Sequence, residues 1–253
     1  MSASDRDLAL MPAAAMPAFA DEPRVSANAS LNGLWVVIAA YNEARRIGGV
    51  LEDLLAHVDN VVVVDDGSHD GTAREVLRHS VWLLQHACNL GQGAALQTGI
   101  RFALARGADF VATFDADGQH QAADLPRMLR ALIDSGADFT LGSRFLGTAE
   151  GMPLSRRIIL KFGTVFTRLV SGVSLSDVHN GIRVMTRRGA ESLHITMNRM
   201  EHASQVIEQV AASGLPYREV PVTIRYTPAS LQKGQRTSAA IKLGLKFLLE
   251  KVL

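Results

Sequence analysis

The chain has 253 residues, with acidic and basic side chains nearly balanced at a net charge of +1. It is long enough for one domain with a full hydrophobic core, and it carries no overall field of the kind that draws nucleic acid. Cys88 is the only cysteine, which excludes internal disulfides and cysteine-rich zinc sites and suits a reducing compartment; the longest apolar runs fall short of the roughly 20 residues that span a bilayer.

Residues 1–32 are rich in Ala, Pro, Met and Ser and read as a disordered extension. The Ala-Phe-Ala ending at Ala20 has the look of a secretory cleavage site. Asp5, Arg6 and Asp7 leave the leader without net positive charge, however, and Pro12 and Pro17 break its apolar part, so an extension is expected rather than a signal. From Leu34 the pattern becomes regular. LWVVIAA reads as a buried strand and EARRIGGVLEDLLAHV as a helix. NVVVVDDGS is a second strand with AREVLRHS a helix after it, and VWLLQHA is a third strand before the helix of GAALQTGIRFALARG. DFVATFDAD, LPRMLRALIDSG and DFTLGSRF follow as strand, helix and strand. Strands apolar throughout, alternating with helices, predict an α/β fold with a mainly parallel sheet covered on both faces.

The polar clusters are not spread evenly. AYNE, DDGSHDGT, DADGQH and GSRF end the first, second, fourth and fifth strands, whereas the connections at the opposite edge, HVDN, RHS, RGAD and SGAD, are short and plain. Ligands of such sheets sit beyond the carboxyl ends of the strands. After Gly147 the alternation stops. An acid-free stretch from Gly151 to Leu175 carries Arg156, Arg157, Lys161 and Arg168. GIRVMTRRG then reads as a strand, MEHASQVIEQVAAS as a helix, REVPVTIRY as a strand and SAAIKLGLKFLLEKVL as an amphipathic helix. The division expected is a domain over 33–253, with 33–147 binding one substrate and 148–253 elaborating its open edge toward another.

VVIAAYNE, VVVVDDGSHDGT, NLGQGAALQTGI, FDADGQH, GSRF and SDVHNGIRV occur in the order found in the family 2 nucleotide-sugar glycosyltransferases. The chain most resembles the polyprenyl-phosphate mannose and glucose synthase branch, strongly from Leu34 to Arg183 and in outline through REVPVTIRY and KGQRTS. The resemblance implies a GT-A fold, a UDP- or GDP-sugar donor and Mg²⁺ or Mn²⁺ as cofactor. It implies inverting transfer to a polyprenyl phosphate, or alternatively to a glycan hydroxyl in polysaccharide assembly. A nucleotidyltransferase of similar architecture should show a Gly-rich, basic loop after the first strand, where AYNE stands. A catalytically silent nucleotide-binding scaffold could do without Asp115 or Asp117, and both are present.

Residues two apart in an extended chain point the same way, so Asp115 and Asp117, flanking Ala116, can face one ion. Hard oxygen ligands suit Mg²⁺ or Mn²⁺, which complete their shells with water or diphosphate oxygens. Without an ion, DADG reads as a turn. Gln119 could be a further ligand, and His120 a neighbour of the site or a structural histidine. By resemblance, Asp65 or Asp66 hydrogen-bonds the nucleobase in a pocket lined by Ala40, Tyr41 and Glu43; the bland readings are an Asx turn and a first-turn acid. Gly91 and Gly93 at a helix start would let backbone N–H groups approach phosphate, or simply make a tight turn. Gln92 stands where the family usually has lysine. Arg144 resembles an arginine at the active-site rim. Asp177 and Arg183 match positions near the acceptor, Asp177 being the candidate base, while Gly181 stands where some relatives carry an acid. Lys233 and Arg236 are candidates to close over the diphosphate, or solvated charges. The basic, apolar helices of the second half could lie on an anionic membrane or pack on the sheet. The expected place is the cytoplasm, or the cytoplasmic face of a membrane.

Overall fold

The computed structural model describes residues 31, 33–158, 160–161, 164, 175–178, 180–198 and 201–226. The N-terminal extension, Lys233, Arg236, the amphipathic helix at the end and most of the acid-free stretch lie outside the described residues. Within them the chain runs β1 (Leu34–Ala40), α1 (Ile47–Leu55), β2 (Asn60–Asp65), α2 (Thr72–Val76), β3 (Trp82–Gln85), α3 (Gln92–Ala105) and β4 (Phe110–Asp115). A single 3₁₀ turn (Ala122–Asp124) then leads into α4 (Leu125–Ser135), followed by β5 (Phe139–Glu150), β6 (Arg183–Thr186), α5 (Arg187–Ser192), α6 (His202–Ala212) and β7 (Tyr217–Arg225).

The seven strands form one sheet in the order β3-β2-β1-β4-β6-β5-β7. β1 pairs in parallel with β2 and β4, β2 with β3, and β5 with β7. β6 alone runs antiparallel, between β4 and β5. Because the strands are covered on both faces, successive residues feed two cores. Val36, Ile38, Val61, Val63, Ala112 and Phe114 pack under α1 and α4, while Trp35, Val37, Val62, Val111, Leu141 and Met185 pack under α3, α5 and α6. This is why the strands read as unbroken apolar runs rather than as alternating ones.

The structure departs from the sequence pattern in three places. The strand expected over GIRVMTRRG stops at Thr186, whose side chain accepts the Gly189 N–H at 3.1 Å and opens α5. The strand expected over DFTLGSRF continues to Glu150, with a register shift against β7 between Ser143 and Thr148. That irregularity, a bulge, lifts Arg144 out of the ladder. Finally, β6 separates β4 from β5, so the second half of the chain enters the sheet itself instead of only extending its edge.

The topology brings distant segments to one place. The carboxyl ends of β1, β2, β4, β5 and β7 lie on one edge. β6 is reversed, so its amino end, Gly181–Arg183, arrives there as well.

Candidate active site

At the ends of β1 and β2 the loops are stitched together. Asn42, with φ +54°, donates its N–H to Ser68 Oγ at 2.9 Å and accepts the His69 N–H at 3.0 Å. The Glu43 N–H donates to Thr72 Oγ1 at 2.9 Å, and the Ala44 N–H to Asp70 Oδ2 at 3.1 Å. These bonds hold Tyr41 half-exposed beyond the buried Ala40, while the Glu43 carboxylate meets Arg46 at 2.8 Å.

The two aspartates closing β2 have different duties. Asp65 accepts the Ser68 N–H at 3.0 Å and lies at the end of a long contact from the Gln85 amide at 3.5 Å. Asp66 accepts from the Leu90 N–H at 3.0 Å and the Gly91 N–H at 2.7 Å, and its Oδ1 is 2.7 Å from His86 Nδ1. Both of its oxygens are used in fixing the loop before α3. The glycines of that loop are also engaged. The Gly93 N–H donates to the Asn198 carbonyl at 2.9 Å, so neither glycine N–H is left for a phosphate. This corrects the expected phosphate cradle: a Cβ at Gly91 would strike Asn198 O and one at Gly93 would strike Met197 O, and the glycines admit that passing segment.

Asp115 and Asp117 end β4. His120, on the turn that follows, is buried edge-on to Phe114 and holds Asp115 Oδ2 through Nε2 at 2.9 Å. The Gln92 amide donates to Asp115 Oδ1 at 3.2 Å, a neutral donor where the family's lysine would put a charge. Burial pushes the Asp115 pKa up, but the His120 hydrogen bond and the positive charges of His120, Arg183 and His202 outweigh it and hold the carboxyl below its ordinary value. Asp117 shows the reverse. Burial and then the neighbouring Asp115 charge raise it, Glu43 adds to the effect, and the Gln119 N–H, 3.0 Å from Oδ1, and the His120 charge only partly oppose it. Two neighbouring carboxylates, one resisting ionisation through burial and then through the charge of the other, are a donor set that a divalent cation would relieve. Among the described residues no group of three or more His, Cys, Asp or Glu side chains could hold a metal ion. Gln119 is tied by its backbone, donating to Asp117 and accepting from the Arg225 N–H at 2.9 Å.

On the other side of the edge lies a second buried group. Arg144 donates through Nε to Asp177 Oδ2 at 2.6 Å and through Nη1 to the Tyr226 hydroxyl at 2.5 Å, and its backbone N–H reaches the same Oδ2 at 3.1 Å. Burial works against its charge, yet Asp177 and then Tyr226 more than offset that and raise its pKa. Asn180 also approaches Asp177, at 3.4 Å. Arg183 is buried between Asp115 and Asp177. Burial lowers its pKa against the pull of both carboxylates, and its Nε has no hydrogen-bond partner among the described residues. Gly181 lies against Asp115 so closely that a Cβ there would overlap the carboxylate. His202, Glu219 and Tyr226 belong to this surrounding; Glu219 and Tyr226 lie in REVPVTIRY, where the sequence pattern marked a strand but no role for either side chain.

Comparison with known proteins identifies the family and the fold. The family described as Glycosyl transferase family 2 matches residues 35–193. An uncharacterized protein of Methanocaldococcus jannaschii is 34% identical over 87% of this chain and 92% of its own length. A UDP-N-acetylglucosamine–dolichyl-phosphate N-acetylglucosaminyltransferase of Methanococcus voltae is 29% identical over 87% and 96%. An undecaprenyl-phosphate mannosyltransferase of Micrococcus luteus is 37% identical over 58% and 63%. Among solved structures, glucosyl-3-phosphoglycerate synthase from Mycobacterium tuberculosis, in complex with Mn²⁺, UDP and glucosyl-3-phosphoglycerate, shares the fold. Its TM-score is 0.62 at 16% identity, over 86% of this chain and 78% of that one. The chain is a glycosyltransferase of GT-A fold and belongs to glycosyl transferase family 2, in the branch of the polyprenyl- and dolichyl-phosphate sugar transferases.

Proposed function

We propose that the protein moves a sugar, with inversion, from a nucleoside-diphosphate sugar to a polyprenyl phosphate. The observation that carries the reading is the carboxylate pair at the end of β4, with the Asp115 pKa lowered by His120 against burial and the Asp117 pKa raised by burial and then by the Asp115 charge. Asp115 and Asp117 would hold Mg²⁺ or Mn²⁺, which supplies Lewis-acid stabilisation of the charge on the departing diphosphate. That relatives of this fold are crystallised with Mn²⁺ or Mg²⁺ and UDP supports the choice of ion. Asp65, at the end of β2, would accept an N–H of a uracil or guanine base, in a pocket walled by Ala40, Tyr41 and Glu43; Asp66 shapes that pocket by holding the loop at Gly91.

An acceptor phosphate oxygen attacks the anomeric carbon from the face opposite the diphosphate. The bond from that carbon to the diphosphate oxygen breaks, and the leaving group keeps the electron pair. A hydroxyl acceptor would need a base. Gly181 leaves no room for a side chain beside Asp115, and Asp177 is taken up by Arg144 in a buried ion pair, so we assign Asp177 to holding the arginine rather than to taking a proton. An acceptor already anionic needs positive groups more than a base, and Arg144 and Arg183 would supply them. This favours a phosphate over a glycan hydroxyl. Lys233 and Arg236 remain candidates for closing over the diphosphate, and residues 33–147 and 148–253 divide the work into donor and acceptor sides. No described helix is long and apolar enough to cross a membrane. Leu154 and Ile158, exposed beside Arg156 and Arg157, suit contact with an anionic surface at the cytoplasmic face.

The test is a thermal-shift screen of UDP and GDP with and without Mn²⁺, followed by transfer assays on polyprenyl phosphate. Metal-dependent stabilisation by one nucleotide is expected. Asp117→Ala should cut transfer by on the order of 100-fold or more while the fold survives. Full turnover by that variant would sink the assignment of the carboxylate pair, and no stabilisation by either nucleotide would favour a silent scaffold.

A further inference from the structure

Glu219 stands near the start of β7, and its carboxylate faces the amino end of the loop that carries Asp177. Both of its oxygens lie 2.9 Å from the Ser176 N–H; Oε1 also accepts the Ser176 hydroxyl at 2.7 Å and the Asp177 N–H at 3.2 Å. Two consecutive backbone amides and a hydroxyl thus converge on one acid.

The hydroxyl has a direction. Ser176 donates its proton to Glu219, so the 2.6 Å contact between Ser176 and Ser143 must be donated by Ser143. That leaves the Ser143 oxygen to accept the N–H groups of Phe145 and Leu146, both at 3.2 Å, and these close the bulge of β5 around Arg144. The other arm passes through the Asp177 backbone to its Oδ2, which takes both the N–H and the Nε–H of Arg144. Pairing of Leu141 with Glu219 sets the register that brings the two arms together.

We propose that Glu219 is the positioning residue for Arg144, fixing the arginine's backbone through Ser176 and Ser143 and its side chain through Asp177. Glu219 itself touches no substrate. It sets where the guanidinium points, and so how well an anionic group at this end of the sheet is held. The kinetic consequence rests on the reading above, in which that group is the acceptor phosphate; the geometric consequence does not.

The experiment uses the full chain with Glu219→Gln, which keeps the size and one acceptor oxygen, and Ser176→Ala, which removes only the hydroxyl link. The first readout is the Nε–H resonance of Arg144 in nitrogen-15 spectra, identified by its loss in Arg144→Lys. Both variants should move it and speed its exchange with solvent. The second readout is transfer to polyprenyl phosphate in detergent micelles. For Glu219→Gln, the acceptor KM should rise about 10-fold while donor KM and kcat stay within about 3-fold, and Glu219→Gln combined with Arg144→Lys should cost no more than Arg144→Lys alone. An unmoved Arg144 resonance in a folded Glu219→Gln protein overturns the proposal. So does a fall in kcat with acceptor KM unchanged, or a double variant whose losses multiply. If the unaltered protein transfers nothing to polyprenyl phosphate, the functional reading falls and the nitrogen resonance alone decides the role of Glu219.

Discussion

Asp138 shows how a single carboxylate makes stability depend on pH. It is buried at the start of β5, where it accepts the Thr186 hydroxyl at 2.6 Å and is gripped by Arg188 through Nε at 3.0 Å and through Nη2. The Arg188 hydrogen bond lowers its pKa, burial opposes this, and Thr186 and the Arg188 charge add to the lowering. A carboxyl with a depressed folded pKa contributes stability above its unfolded value of about 3.9, and loses it as pH falls through the folded value. Asp138→Asn does not titrate. It should therefore melt well below the unaltered protein at pH 7, and the gap should close as the pH drops below about 4. Melting curves across that range check it, and a gap of constant size would contradict the assignment. At the same scale, the sequence pattern made Asp65 and Asp66 look equivalent. Only the hydrogen bonds separate an Asp66 spent on the loop from an Asp65 left with a single short bond.

At the scale of elements, α3 illustrates a motif whose residue types were legible but whose reason was not. NLGQGAALQTGI reads as a phosphate loop or a tight turn because glycines open a helix. The helix is there, yet its glycines make room for residues 195–198, and their N–H groups go to Asp66 and Asn198. Gly93→Ala should push the Asn198 segment away, destabilising the protein by about 2 kcal/mol in denaturant titrations and loosening His202, which lies against the same position. If that substitution proves neutral, the close approach is not what the glycine is for. The bulge in β5 is a similar case. GSRF looks like a strand end, but the strand continues, and the arginine is displaced because the ladder slips rather than because it stops.

For the whole molecule, residues 33–147 and 148–253 are not separate folding units. β6, from the second half, forms ladder bonds to both β4 and β5 of the first. A fragment ending at residue 151 would leave two central strands with unpaired edges and uncover Leu141 and Val111. We expect it to stay unfolded by circular dichroism and amide exchange; a cooperative melt would show that the first half stands alone. The same insertion accounts for the reach of the active site, since the reversed β6 carries Gly181 and Arg183 to an edge already occupied by Asp115.

What the sequence determined was period and punctuation. Apolar runs too continuous for a one-sided sheet and helices between them were enough for the fold class, and polar clusters at alternate connections for expecting a site at one edge with the Asp115–Asp117 pair, because each depends on residues near in the chain. Tertiary structure decided which of these residues touch. Glu219 meeting Ser176, Tyr226 meeting Arg144, Gly181 against Asp115 and Arg183 near two carboxylates join positions separated by up to 82 residues. No local spacing encodes such meetings. They follow from the order of strands in the sheet, which is set by how the whole chain buries its two faces.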